Sequence, residues 1–136
     1  MWNARVLAVA VVLSVQLSIG QSASISHTVT ADEAKSLILA ALPSKAKYLP
    51  KFGLDGGIDQ RSPRFYVFSA DWDNPGGSVV YGHYAVDTLT GDVWDAVMSC
   101  DELSTPALRR LQARVRSRIG LAGAKYKRIK SKGPLC

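Results

Sequence analysis

The chain has 136 residues and a formal net charge of +6, from 17 lysines and arginines against 11 acidic residues, with two cysteines. That length gives one domain with one modest core rather than a multidomain protein. The basic excess gathers after Pro106, and Cys100 and Cys136 stand too far apart for a zinc-ligand spacing.

Met1–Arg5 carries a single positive charge, and Val6–Ile19 is nearly all apolar, interrupted by Ser14, Gln16 and Ser18. The run is too short to span a bilayer comfortably. Ser18-Ile19-Gly20 offers the small residues that a signal peptidase reads, with Gln21-Ser22-Ala23 as a second site. Residues 1–20 are therefore expected to be a signal peptide, leaving a secreted or periplasmic chain of charge +5 with no transmembrane span. In an oxidising compartment a Cys100–Cys136 disulfide would staple the tail to the end of the last strand.

Thr30-Ala31-Asp32-Glu33 is a capping box. Ala34, Leu37, Ile38, Ala41 and Leu42 follow at the spacing of one helical stripe, and Pro43 stops the helix. Between 44 and 63 the prolines and glycines break any regular pattern. The expectation there is a connecting segment with a short edge strand near Tyr48–Phe52, where Pro50 is tolerated. The run Leu54–Asp59 reads as a turn.

Arg64–Met98 reads as three antiparallel strands joined by turns at Asp73–Gly77 and Thr88–Gly91. A five-residue first loop pairs Trp72 with Ser78; a three-residue second loop, with Gly91 left-handed, pairs Thr88 with Asp92. This register puts Tyr66, Phe68, Ala70, Trp72, Val80, Tyr84, Val86, Trp94, Ala96 and Met98 on one core face. The other face carries Phe65, Val67, Tyr81 and His83 in a mixed apolar and polar patch, the kind of surface that meets a partner.

Thr105 and Pro106 cap a second helix with the stripe Leu108, Leu111, Val115 and Ile119, ended by Gly120. Residues 21–120 thus form one α+β domain: a three- to four-stranded antiparallel sheet with two helices packed on one face. Residues 121–136 form a basic tail with no apolar stripe, expected to be mobile unless Cys136 ties it down.

The segment Tyr84–Val93 contains Val86-Asp87-Thr88-Leu89-Thr90-Gly91-Asp92-Val93, a V-D-x-x-T-G-x-V hairpin. With the preceding helix-to-sheet order, it resembles small secreted PepSY-type domains and NTF2-fold immunity proteins. The resemblance implies a non-enzymatic inhibitory or binding domain.

Sites for chemistry are few. Asp71, Asp73 and Gly76 match the first, third and sixth positions of a calcium loop, but Gly82 stands where a bidentate glutamate is needed, and the flanks are strands. Ser69, His83 and Asp95 share a face, yet the register leaves Ser69 and Asp95 on diagonals from His83, about 7–8 Å away. A catalytic triad needs hydrogen bonds of about 3 Å. No metal, cofactor or catalytic group is expected.

Arg109, Arg110, Arg114, Lys125, Lys127 and Arg128 make a basic surface whose default reading is a solvated face. The alternative is a binder of a small ligand or an anionic envelope surface through this basic helix and tail, and nucleic acid is not expected, because stacking aromatics are missing there apart from Tyr126. The leading expectation is a binding module for another protein, of the kind an inhibitor or immunity-type protein provides, acting through the sheet face.

Overall fold

A computed structural model describes residues 27–77, 79–97 and 99–134. The expected signal peptide, Cys136 and the side chains of Ser78 and Met98 lie outside the described residues. The elements are helix α1 (Ala31–Ala41), a 3-10 turn (Ser44–Tyr48), strands β1 (Gly53–Ile58), β2 (Phe65–Asp71), β3 (Val80–Asp87) and β4 (Val93–Asp95), then helices α2 (Pro106–Arg118) and α3 (Gly123–Ile129). The strands form one antiparallel sheet in the order β1-β2-β3-β4. The fold is α+β, with α1 on the front of the sheet and α2 beside it.

The helix starts follow from local chemistry. Thr30 N–H donates to Glu33 Oε2 (2.9 Å) while Glu33 N–H donates to Thr30 Oγ1 (3.3 Å). Leu108 N–H donates to Thr105 Oγ1 (3.0 Å), with Pro106 in the first turn, where a missing N–H costs nothing. The capping hydroxyl of Thr105 also donates to the Ala40 carbonyl (2.7 Å), so one side chain starts α2 and ties it to α1.

The core joins Ala34, Leu37 and Ile38 of α1 to Phe68, Ala70, Tyr84, Val86 and Val93 of the sheet and to Leu108 and Val115 of α2. Burying each large member contributes about 1.5–3 kcal/mol before entropy is subtracted.

Three sequence expectations are corrected. The edge strand lies at Gly53–Ile58, one segment later than Tyr48–Phe52 and overlapping the run Leu54–Asp59 read as a turn. The Leu49 carbonyl accepts from Phe52 N–H (3.1 Å) and Lys51 takes φ 52°, so the chain reverses around Pro50 and becomes extended only beyond it.

The second correction is Trp94. The last turn holds one more residue than expected: Asp87 Oδ1 accepts from Leu89 N–H (2.8 Å), its carbonyl accepts from Gly91 N–H (2.8 Å), and Val86 pairs with Val93. Gly91 does take the left-handed conformation, at φ +70°. A slip of one residue exchanges faces. Val93 therefore enters the core, and Trp94 points to the back of the sheet, edge-to-face on Phe65 at 5.9 Å.

The third is the tail. Residues 123–129 form α3, and Gly133 packs against Trp94 with Pro134 buried nearby. The Arg64 guanidinium donates to the Ile129 carbonyl and to Asp87 Oδ2, so the tail closes over one end of the back face. Trp94 is 2% and Phe65 4% exposed as a result.

Candidate functional site

The four residues expected to form one patch do not assemble into one. Phe65 is sealed under the tail; Val67 and His83 remain half-buried on the back face. Tyr81 is separated from them by a bulge. Ala70 pairs with Gly82 and Asp71 with Val80, which leaves Tyr81 as the extra residue of β3. Its ring turns to the front rim and meets Phe52 edge-to-face at 6.3 Å. Three residues on, Tyr84 lies in the core as the alternation requires, its hydroxyl running back over Gly82, where a Cβ would come within 2.6 Å. Burial first, then Tyr81 and Asp95, push the Tyr84 hydroxyl up to about 12.

Ser69 and His83 do sit directly opposite on β2 and β3, closer than the expected diagonal. The Ser69 hydroxyl, however, donates to Asp71 Oδ1 (2.8 Å), and among the described residues no hydrogen bond joins it to His83. A nucleophile needs its base as hydrogen-bond partner. The pair is not arranged that way.

The basic residues divide into two groups. Arg109, Arg110 and Arg114 on α2 and Lys125, Lys127 and Arg128 on α3 are exposed, as expected of a solvated surface. Arg116 and Arg118 have structural work instead. Arg116 donates to the Thr90 carbonyl (2.8 Å) and to Asp92 Oδ1 (2.6 Å), and stacks 4.2 Å from the Tyr126 ring; the Tyr126 hydroxyl donates to the same carboxylate oxygen (3.0 Å). Burial pushes the Asp92 carboxyl up, and Thr90, Arg116 and Tyr126 pull against that rise. Arg118 forks onto both oxygens of Glu33 (2.6 and 2.7 Å), closing α2 against the start of α1.

The surface that does assemble is at the other end of the sheet, around the β2–β3 loop. Tyr48 is 86%, Val97 59% and Val79 51% exposed, with Val80 exposed and Trp72 and Tyr81 half-buried among them. Asp73 N–H donates to the Pro50 carbonyl (2.8 Å), and Lys51 pairs with Asp73 (3.0 Å), so the segment carrying Tyr48 is held beside this loop. Single exposed apolar residues are ordinary, and several at one end of a sheet make that end a candidate interaction surface. Sequence patterning missed it because Tyr48 and Val79 lie outside the strands, where alternation carries no information.

On its flank, Lys35, Leu39, Lys47, Phe52, Gly53 and Leu54 line a groove of about 400 Å³. The Lys35 ammonium lies 5.7 Å from the centre of the Phe68 ring.

What these features define is a small α+β protein with buried, paired charges at one end of its sheet and exposed apolar side chains at the other. No protein-family profile matches the chain, and no curated protein does. Among solved structures it is similar to a chain in the structure of a type VI secretion system effector–immunity complex from Pseudomonas protegens. The two share 29% sequence identity with a TM-score of 0.57, over 78% of this chain and 90% of that one.

Proposed function

We propose that this protein is an exported, non-enzymatic binding protein of the immunity type, which holds a toxic partner protein through the apolar end of its sheet. The observation that carries the reading is the 29% identity to a chain from an effector–immunity complex, over 78% of this chain and 90% of that one. Between the two roles in such a complex, the binding role is favoured by the gathered Tyr48, Val79, Val80 and Val97, and by Ser69 donating to Asp71 rather than to His83. Export rests on the apolar Val6–Ile19 run and its small-residue boundary. A Cys100–Cys136 bridge belongs to the same proposal: Cys100 Sγ lies 3.6 Å from the Pro134 carbonyl oxygen, two residues before Cys136.

The test is affinity capture from an envelope extract with the chain lacking residues 1–20 as bait, followed by coexpression with the captured protein. One stoichiometric partner whose toxicity the chain relieves supports the reading. Capture of lipid or polyanion alone overturns it in favour of an envelope-surface binder using Arg109, Arg110, Arg114, Lys125, Lys127 and Arg128. Alkylation of the exported protein without reductant, read by mass spectrometry, tests the bridge: two modified thiols would remove it.

A further inference from the structure

The two edges of the sheet are not alike. Beyond β4, Leu103 N–H donates to the Val93 carbonyl (2.7 Å) and Asp95 N–H to the Asp101 carbonyl (3.0 Å), so residues 101–103 cover that edge. Beyond β1, among the described residues, no backbone hydrogen bond arrives from outside. Asp59 N–H donates to the Phe65 carbonyl (2.9 Å), and antiparallel pairs alternate. Gly53, Asp55 and Gly57 therefore bond towards β2, while the N–H and C=O groups of Leu54 and Ile58 point outward. Open edges of this kind accept another strand, and proteins usually guard them.

Above this edge lies the groove. Leu54 and Ile58 pair with Ala70 and Tyr66, so their side chains face the front, on the side of α1. The floor is Leu39, Phe52 and Leu54, and the cations are Lys35 and Lys47. Elsewhere Lys51, Arg64, Arg116, Arg118 and Lys130 each have a carboxylate partner. Among the described residues no carboxylate pairs with Lys35 or Lys47, nor with exposed cations such as Arg110 and Lys127; what sets Lys35 and Lys47 apart is that they line an apolar groove. The nearest acid on β1, Asp55, projects to the opposite face.

We propose that the outer edge of β1 binds an extended segment of the partner protein as a fifth strand, with an apolar side chain on Leu39, Phe52 and Leu54 and a carboxylate two residues away facing Lys35 and Lys47. The spacing follows from the strand period, which returns to one face every second residue. Charge selects an acidic segment of another protein over a second copy of this chain, whose own β1 would bring the same two lysines against these. The proposal rests on the immunity reading for the partner's identity, though not for the chemistry of the groove.

The probe is the blocked pentapeptide Thr-Leu-Thr-Glu-Thr, titrated against the chain lacking residues 1–20 and followed by backbone amide NMR. Shifts should concentrate at Leu54, Ile58 and Lys35. Replacing the peptide's Glu by Lys, or methylating its edge-facing amide nitrogens, should weaken binding by about tenfold. The double variant Lys35→Glu/Lys47→Glu should reverse the preference between the two peptides. Equal affinity for both peptides, shifts centred away from β1, or no shifts at millimolar peptide would overturn the proposal. So would concentration-dependent dimerisation that broadens the β1 amides. Partner capture separates the two readings. If Tyr48→Ala abolishes capture and Lys35→Glu/Lys47→Glu leaves it intact, strand addition fails and the immunity reading stands. If wild type captures no protein while the peptide binds as described, the immunity reading fails alone.

Discussion

The two ends of the sheet solve opposite problems. At the β3–β4 turn, Asp87 and Asp92 are fully buried and are answered by Arg64 and Arg116, by Thr90, and by the backbone of Leu89. At the β2–β3 loop the apolar residues stand in water and the Lys51–Asp73 pair is exposed. Surface ion pairs contribute about 0–1 kcal/mol, whereas removing one partner of a buried pair costs about 3–5 kcal/mol. One end is built to stay in place, and the other is left with surface to bury.

The largest effect should therefore come from the turn end. Arg116→Ala leaves the Asp92 carboxylate buried with its cation gone and should cost about 3–5 kcal/mol in urea unfolding. A loss under about 1 kcal/mol would show the pair to be a surface pair in energetic terms. Trp94→Ala comes next, at about 3 kcal/mol, because it opens a cavity between the sheet and the tail. Its signature is a tail more readily cut by trypsin after Lys130 or Lys132; an uncut tail would mean that something other than Trp94 anchors it.

A smaller effect separates the ends by pH. The Tyr84 hydroxyl is raised from 10.0 to about 12 by burial, so the fold favours its neutral form. Its contribution to stability is complete below about pH 10, and it is lost as pH rises from there towards 12. The stability difference between wild type and Tyr84→Phe should hold constant to pH 10 and then move against wild type. A difference that stays flat to pH 12 would put Tyr84 in solvent. Smallest of all, Tyr48→Ala should change stability by no more than about 0.5 kcal/mol, since a side chain this exposed has little folded-state packing to lose. The same change should cost about 2 kcal/mol or more in partner binding. If instead it destabilises the fold, the apolar end is structural.

How much of this was legible in the sequence depended on how local the signal was. Thr30 with Glu33, Pro43, Thr105 with Pro106, and Gly91 each act within one turn of chain, and each stands where its chemistry places it. Trp94 failed because its face depends on the length of a turn, and that length was set by the Asp87 side chain bonding to Leu89. Nothing in the sequence sets Arg116 and Arg118 apart from the other arginines of α2, because helical spacing shows a face but not the acid waiting across from it. Phe65, Val67, Tyr81 and His83 shared a face on paper until the Tyr81 bulge and the tail divided them. Long-range consequences of single side chains are what alternation cannot carry.

The tail's place over Trp94 also has a consequence for the order of synthesis. Ile129, Gly133 and Pro134 follow every strand in the chain, so they are made after the strands they cover. A chain cut or stalled before them keeps the residues of the front core but lacks the cover over Phe65 and Trp94. Such a chain displays an aromatic surface that the intact protein hides.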